Sequence, residues 1–297
     1  MQKTTQTKRK RRLGDRKDGY LIRDIDSMHF VMPLIYPNRC DNEAYVSEKI
    51  DLTNAIAFLE KKNAAGDDYK YNVFQLIVTA MIKVVTLRPK MNRFIANGNV
   101  YQRNEVSASF VIKKQYQDES KEGLAFIHAT DDTTLDSVHN EIKRLVTSCR
   151  KGHGDTSSDA MDIFNKMPRF LSKFLIRIAR MLDKRGKLPQ FLIATDPYYS
   201  SVVLTNLGSI KLKSGYHHLT NWGTNSVFVA IGEIKKRPFF NDDGTYEMKE
   251  SLDLGLTVDE RIADGYYYSK TIRLLKHLLE NPELLELPAA QETDFKF

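Results

Sequence analysis

Six short β-prone stretches most constrain the fold of this chain, because the helical patterns between them do not alternate strictly with the strands. Strict alternation is typical of parallel doubly wound sheets, whereas an irregular mixture favours an α+β domain. We therefore predict an α+β fold on a mixed, largely antiparallel sheet. The stretches are NEAYVSEKIDL (42–52), VSASFVIKK (106–114), GLAFIHAT (123–130), SSVVLTN (200–206), SVFVAIG (226–232) and about 246–258.

Four helices and one hairpin follow from spacing and turn chemistry. Asn97-Gly98 is a preferred two-residue hairpin turn and predicts two short strands around it. Thr53 is a candidate N-cap for a helix that Gly66 ends. The other helices show apolar residues at helical spacing. These residues are Val73, Leu76, Ile77, Ala80, Met81 and Val84; Leu135, Val138, Ile142, Leu145 and Val146; and Ile272, Leu275, Leu278 and Leu279 in a last helix over 266–280.

The formal net charge of +7 lies in the first 17 residues. They hold eight basic residues against one acid, Asp15, out of chain totals of 45 and 38, which leaves 37 of each sign in the remainder. A body without net charge argues against a basic nucleic-acid-binding face. We predict a disordered basic tail over 1–18, which can touch RNA, acidic lipid or an acidic partner, and a single domain over 19–297.

The compartment predicted from the sequence is the cytoplasm. No apolar segment follows the basic tail, so the tail does not have the pattern of a secretory signal. The chain has two cysteines, Cys40 and Cys149, which are too few for a disulfide framework that stabilises 297 residues and show no metal-ligand spacing. We therefore expect reduced thiols and no transmembrane segment.

A basic amphipathic pattern occupies KMPRFLSKFLIRIARMLDKRGKLP, residues 166–189. Phe170, Phe174, Ile178 and Leu182 recur at helical spacing beside several lysines and arginines. This pattern is typical of a core-facing helix with a solvated basic side, of a helix that lies on an anionic membrane, or of a cover for a substrate entrance. The segment is too short and too charged to span a bilayer.

The C-terminal stretch LTVDERIADGYYYSKTIRLLKHLLENPELLEL (256–287) resembles the signature of dihydrolipoyl acyltransferases, the catalytic cores of 2-oxo acid dehydrogenase complexes. The family pattern is D-H-R-x-x-D-G, followed by a helix that often ends in an ENPELL-like run. Asp259, Arg261, Asp264 and Gly265 match this pattern. Glu260 stands where the family has its histidine.

Three further stretches resemble the same family, in the same order along the chain. VVLTNLGSI (202–210) is similar to the T-I-S-N-L-G segment, with Thr205 at the hydroxyl position and Asn206 in register. SVFVAIGEI resembles the next strand, and KIDLTNAIAFL with RPKMNRFIANGNVYQRNEVSASFVI resembles the first helix and hairpin. The resemblance covers about 40–287. It implies a two-layer sandwich like that of chloramphenicol acetyltransferase.

The resemblance also implies a mechanism and an assembly. A base removes a proton from a thiol or hydroxyl acceptor, which attacks the thioester of an acyl-CoA, and the hydroxyl of Thr205 stabilises the oxyanion. CoA or acyl-CoA is then a substrate, and no metal is expected. Asp264 is implied to be structural and held by an arginine. A homotrimer is implied, with the active site between subunits.

The chain departs from the family pattern in three ways. No lipoyl domain or subunit-binding segment precedes the matching region, so we expect a stand-alone acyltransferase. A helical insert over about 160–189 has no family counterpart. Glu260 replaces the base, and burial beside Asp259 and Asp264 is expected to raise its pKa. Its ionised form opposes the oxyanion, and Arg261 is a candidate to offset that charge. The alternative is an inactive trimeric interaction protein with the same fold.

Other residues near these motifs can have either a structural or a functional role. His217 and His218 are candidates to replace the missing base, but adjacent histidines in a loop are usually solvent-facing. Asp259, Glu260 and Asp264 resemble a hard-cation set only weakly, because Arg261 lies among them. The three tyrosines 266–268 favour packing at a subunit contact. We predict Glu260 and Thr205 as catalytic residues, and Asp264, Arg261, Asn206 and Gly265 as structural ones, with a small-molecule acceptor.

Overall fold

The computed structural model describes residues 10–64, 66, 68–113, 122–150 and 165–295. Within these residues the chain forms ten β-strands and seven α-helices. The strands are β1 Gly19–Leu21, β2 Glu43–Asp51, β3 Arg93–Ala96, β4 Asn99–Arg103, β5 Val106–Lys113, β6 Glu122–Ala129, β7 Val202–Asn206, β8 Val227–Ile231, β9 Lys235–Phe240 and β10 Tyr246–Asp259. The helices are α1 Ser27–Ile35, α2 Thr53–Asn63, α3 Val73–Leu87, α4 Leu135–Arg150, α5 Arg169–Lys184, α6 Gln190–Thr195 and α7 Gly265–Glu280.

A mixed sheet organises the molecule. Its order is β2-β10-β8-β7-β5-β6, with β9 paired to β10, and only the β5–β7 and β7–β8 pairs are parallel. A smaller antiparallel sheet has the order β1-β4-β3. The predicted α+β class and the mixed, largely antiparallel sheet are therefore confirmed.

The core lies between one face of the large sheet and the helices. Helix α3 is buried almost all round, and its apolar side chains pack between the sheet and helices α4 and α7. Alternate residues of strand β10, namely Leu252, Leu254, Leu256 and Val258, lie in this core. On the opposite face, the loop after β7 crosses the sheet so closely that a Cβ on Gly255 would lie 2.0 Å from the carbonyl oxygen of Gly215.

The hairpin and most helices agree with the sequence predictions. Asn97 and Gly98 both have positive φ, 49° and 71°, and join β3 to β4. Thr53 is not the N-cap of α2: Leu52 holds that position, and Asp51 accepts from the Thr53 amide at 2.9 Å and its hydroxyl at 2.6 Å. Helices α1 and α6 and strands β1 and β9 are additional elements, which the apolar patterns did not indicate.

The chain is anchored before the predicted domain boundary at residue 18. Arg16 is only 4% exposed, and its guanidinium binds the Asp18 carboxylate at 2.8 Å and the carbonyl oxygen of Asp183 at 2.5 Å. The contact with Asp183 joins residues far apart in sequence, which no local pattern reveals. Disorder of residues 1–9 stays a prediction, because they lie outside the described residues.

The helical segment predicted at 166–189 is α5, which a turn separates from α6. The first part of the predicted insert, 160–164, lies outside the described residues. Among the described helices, none is long and apolar enough to cross a membrane.

Candidate functional site

The acidic loop begins where β10 ends, and a buried ion pair holds it. Asp259 is fully buried, and Arg261, two residues later in a 3₁₀ turn, is 1% exposed. The Arg261 guanidinium donates from Nε to Oδ1 of Asp259 at 2.8 Å and from Nη2 to Oδ2 at 2.7 Å. Its Nη1 donates to the carbonyl oxygens of Tyr36 at 2.8 Å and Pro37 at 3.2 Å. Four of the five guanidinium N–H groups of Arg261 thus bind within the chain, and its charge is paired with Asp259.

A second arginine, which the motif comparison missed, supports the same carboxylate. Arg39 is buried, and this burial lowers the pKa of its guanidinium, opposed by the nearby charge of Asp259. Its Nε lies 3.6 Å from Oδ2 of Asp259, and its Nη2 donates to the Ile95 carbonyl at 3.1 Å. Tyr268 donates its hydroxyl to the Asp259 carbonyl at 2.9 Å. The arginine-held acid of this loop is therefore Asp259.

The expectation that an arginine holds Asp264 is wrong for that reason. Asp264 is exposed and is the N-cap of α7, where its Oδ1 accepts from the Tyr267 amide at 2.8 Å. That hydrogen bond lowers the pKa of the Asp264 carboxyl below its ordinary value. Asp264 is structural, but through helix capping. Gly265 begins the helix, and a Cβ added there would meet no atom within 4 Å, so one chain alone gives no steric reason for glycine at this position.

The Glu260 side chain lies at the surface of the single chain, unlike the buried Asp259. The Glu260 amide donates to the Asn42 carbonyl at 2.9 Å, while its side chain is exposed in the single chain. Asp259 is turned into the protein and neutralised by Arg261. The burial expected to make Glu260 a base is therefore absent within one chain, and only a neighbouring molecule can supply it.

The second predicted segment ends strand β7. Thr205 is half-buried at the strand end, and Asn206 caps the following 3₁₀ turn by accepting from the Ser209 amide at 3.1 Å. Gly208 is needed for close packing, since a Cβ there would lie 2.6 Å from the carbonyl oxygen of Gly232. The turn is thus pressed against the end of β8 and fixes the backbone next to Thr205.

The strand register shows that Thr205 and Glu260 are not brought together within one chain. Thr205 is opposite Ala230 of β8, and Ala230 is opposite Gly255 of β10. Glu260 follows Gly255 by five residues along the same strand direction. At about 3.3 Å per residue, the two backbones are about 16 Å apart along the strand axis. The two predicted catalytic residues lie toward opposite ends of the sheet.

The alternative residues have structural roles in the described chain. The His217 ring stacks on Phe228 with 4.2 Å between ring centres, and its Nδ1 lies 2.8 Å from the carbonyl oxygen of exposed His218, so it donates there. Tyr268 is packed inside the chain rather than at a subunit contact, and Tyr267 is stacked by Arg88 at 3.7 Å. Of the three tyrosines only Tyr266, 72% exposed, is open to a neighbour.

No group of three or more potential metal ligands occurs in the described part of the chain. Asp259, Glu260 and Asp264 do not form one cation site, because each side chain has a separate environment. Asp259 binds arginines, Asp264 caps a helix, and the Glu260 side chain is exposed.

Comparisons by sequence and by structure both find similarity to acyltransferases of the 2-oxoacid dehydrogenase complexes. Residues 192–287 match the family model of the 2-oxoacid dehydrogenases acyltransferase (catalytic domain). A curated relative is the lipoamide acyltransferase component of the branched-chain alpha-keto acid dehydrogenase complex of Bacillus subtilis strain 168, 20% identical over 80% of this chain and 46% of the relative. The chain thus spans about half the length of that relative.

Solved structures share the fold at low identity. A probable dihydrolipoamide acetyltransferase from Listeria monocytogenes has a TM-score of 0.58 at 15% identity, covering 92% of this chain and 96% of its own. The dihydrolipoamide acetyltransferase of Azotobacter vinelandii has a TM-score of 0.59 at 16% identity, covering 90% and 94%. A chloramphenicol acetyltransferase has a TM-score of 0.50 at 13% identity, covering 88% and 99%. The predicted fold and the resemblance are confirmed.

Proposed function

We propose that this protein, which shares the fold of the CoA-dependent acyltransferase superfamily, transfers an acyl group between CoA and a small thiol, hydroxyl or amine acceptor. The observation that carries the proposal is the family match over residues 192–287, since this range includes both the Thr205 segment and the Glu260 loop. The fold supports the same conclusion over most of the chain. The acceptor is to be identified by assaying acyl transfer to a panel of candidate acceptors.

The active site of this proposal is formed between subunits. Thr205 and Glu260 lie toward opposite ends of the sheet in one chain, so a single subunit cannot place both on one acceptor. A cyclic trimer can place the Glu260 loop of one chain against the Thr205 segment of the next. One structure with the same fold, 17% identical at a TM-score of 0.58, is the cubic core of a pyruvate dehydrogenase multienzyme complex. Higher assembly on this fold therefore has a precedent.

The proposed reaction begins with acceptor attack on the thioester carbonyl of acyl-CoA. Glu260 accepts the proton of the attacking thiol, hydroxyl or amine, and the carbonyl oxygen becomes an oxyanion that the Thr205 hydroxyl stabilises by donating a hydrogen bond. The tetrahedral intermediate then collapses, the carbon–sulfur bond breaks, and Glu260 returns the proton to the CoA thiolate. Subunit contact must cover Glu260, because removal from water is what makes a carboxylate a strong enough base for this role.

The competing proposal is an inactive trimeric interaction protein. It is favoured by the exposed Glu260 side chain and by the pairing of the buried Arg261 with Asp259. Arg261 was a candidate to offset the negative charge of Glu260 beside the oxyanion, but its charge is already paired with Asp259. An inactive protein needs no such compensation. For either proposal we keep the cytoplasm as the proposed compartment.

The decisive experiment combines CoA binding with turnover. CoA binding is measured by titration calorimetry, and acetyl-CoA consumption is followed by chromatography with a panel of acceptors that begins with dihydrolipoamide. We expect Glu260→Gln to lower turnover by ~10²–10⁴ without weakening CoA binding. Thr205→Val is expected to lower it by ~10²–10³, whereas Thr205→Ser keeps the hydroxyl and the activity.

The matched control is Glu60→Gln, which changes an exposed glutamate on α2 and is expected to have no effect. CoA binding without turnover in any acceptor, together with activity created by Glu260→His, would favour the inactive alternative. Absence of CoA binding would contradict the enzyme proposal itself.

A further inference from the structure

Helix α5 packs on the folded domain and yet exposes a strip of apolar side chains to solvent. Phe170, Phe174 and Met181 are 77%, 58% and 47% exposed, and they recur at i, i+4 and i+11, on one line of the helix. The opposite side is held: Ala179 and Leu182 pack against the buried cluster of Leu188, Ile193 and Tyr199. The strip therefore faces outward in a fixed orientation.

A line of cations runs beside this strip. Arg169, Lys173, Arg177, Arg180 and Lys184 are all exposed and recur at i, i+4, i+8, i+11 and i+15. Phe170, Phe174 and Met181 each directly follow one of these cations in sequence. Residues 165–189 together carry eight basic side chains and one acid, Asp183. The outward side of α5 is thus both apolar and strongly positive.

The buried Arg16 brings a second basic segment to the same place. Its guanidinium binds the carbonyl oxygen of Asp183 at 2.5 Å and the carboxylate at 3.2 Å, in the last turn of α5. This contact uses the one acid of the region and fixes the preceding chain beside the helix end. There Lys10, Arg11 and Arg12 are exposed, and Leu13 is 96% exposed. Two separate basic segments of the sequence therefore lie near the end of α5, and we group them under one name, the α5 surface: residues 10–13 and the exposed side of 169–184.

We propose that the α5 surface docks on an anionic phospholipid bilayer. An amphipathic helix with aromatic residues and cations lies in the plane of the membrane interface, where acyl chains receive the apolar side chains and lipid phosphates pair with the basic ones. Phe170, Phe174 and Met181 fit the first role and the neighbouring cations the second. A second copy of this chain fits less well, because an isologous contact places like charges opposite one another. The helix does not cross the bilayer: 16 residues extend about 24 Å, short of the ~30 Å hydrocarbon core.

The test is co-sedimentation of the full chain with large vesicles. We compare phosphatidylcholine vesicles with vesicles that also hold roughly 30% phosphatidylglycerol, and expect binding only to the anionic ones, weakened by salt. Lys173→Glu/Arg177→Glu/Arg180→Glu is expected to weaken binding about a hundredfold or more, at about fivefold per cation lost. Phe170→Ser/Phe174→Ser is expected to weaken it about tenfold or more.

Two matched controls keep the same chemistry at other surfaces. Lys61→Glu/Lys143→Glu/Lys236→Glu reverses three exposed lysines elsewhere and gives the net charge of the α5 triple variant. Phe240→Ser/Met248→Ser removes exposed apolar side chains from the β9–β10 hairpin, 72% and 55% exposed. Both control variants are expected to keep at least half of the wild-type binding to anionic vesicles, after allowance for the lower net charge of the triple lysine variant. Thermal unfolding checks that each variant is folded.

A second measurement reports insertion directly. Phe174→Trp is expected to shift its emission to shorter wavelength on anionic vesicles and to be quenched by lipids with brominated acyl chains, beyond the response of Trp222 in the wild type. Equal loss of binding in the α5 and control triple variants would overturn the proposal, as would binding unaffected by Phe170→Ser/Phe174→Ser. Retention on RNA with no vesicle binding, or a change of oligomeric state with no vesicle binding, would also overturn it.

Discussion

Replacing Arg261 by methionine tests how the acidic loop is held. The methionine keeps much of the side-chain volume but removes two hydrogen bonds to Asp259, at 2.8 and 2.7 Å, and the bonds to the carbonyl groups of Tyr36 and Pro37. Asp259 stays fully buried. Its nearest remaining cation is Arg39, with Nε 3.6 Å away.

The expected loss of stability follows from burial. Breaking a buried ion pair by removing one partner costs about 3–5 kcal/mol, because the other charge is left in a site without solvent. The Pro37 carbonyl loses its donor and adds to the loss, whereas the Tyr36 carbonyl keeps a hydrogen bond from Asn42 at 3.2 Å. Arg39 offsets part of the loss, so we expect about 3–5 kcal/mol. The comparison pair is Arg237–Asp253, 2.6 Å apart with side chains 28% and 33% exposed. There Arg237→Met is expected to cost about 0–1 kcal/mol.

Guanidinium chloride unfolding, followed by circular dichroism at one fixed protein concentration, gives both values. The paired variant Asp259→Leu/Arg261→Met removes both charges and is expected to regain a large part of the loss, as buried pairs replaced by apolar residues do. If Arg261→Met costs no more than Arg237→Met, or if the paired variant is less stable than Arg261→Met alone, the argument from buried charge is refuted.

Three further predictions concern the anchored chain, the packed turn and the helix cap. Deleting residues 1–9 is expected to leave the melting temperature unchanged. Arg16→Ala is expected to lower it by several degrees through the lost ion pairs. Equal melting temperatures for the wild type and Arg16→Ala would contradict anchoring. Gly208→Ala is expected to lower the thermal stability, since its methyl group meets the Gly232 carbonyl at 2.6 Å, and unchanged melting would show that the turn can move away. Asp264→Ala is expected to cost ~1 kcal/mol near neutral pH, measured by denaturant unfolding. The folded-state pKa of Asp264 is depressed, so its contribution to stability is present above the unfolded pKa of ~3.9 and is lost as the pH falls through the folded pKa. The free energies of unfolding of the wild type and Asp264→Ala are therefore expected to converge in acid. A difference that stays constant with pH would contradict this.

The fold was predictable because it rests on repeated local patterns. The apolar face over 73–84, the Asn97-Gly98 turn and the β-prone stretch at about 246–258 each report local backbone structure, and four motif segments in family order place these elements in one architecture. The same logic fails for α1, where the apolar residues surround Pro33 and remain exposed, so that no single buried face marks the helix.

The site was predictable only in part, because motif positions do not report side-chain direction. Asp259, Glu260 and Asp264 are neighbours in sequence, and yet one is buried with Arg261, one faces outward and one caps a helix. Arg39, the second cation near Asp259, is distant in sequence and lies outside any motif. The proposed contribution of a neighbouring subunit is implied by the family resemblance and supported by the strand register, but residue spacing alone does not indicate it.

The measurement that tests the shared site most directly is complementation between two inactive variants. Glu260→Gln and Thr205→Val are each purified, confirmed to be folded, mixed in equal amounts under conditions that exchange subunits, and assayed for acetyl-CoA consumption with the best acceptor. In a randomly mixed cyclic trimer about a quarter of the sites receive an intact Glu260 from one chain and an intact Thr205 from the next, so we predict recovery of about a quarter of wild-type activity. Exchange of subunits without any recovery of activity would contradict the account.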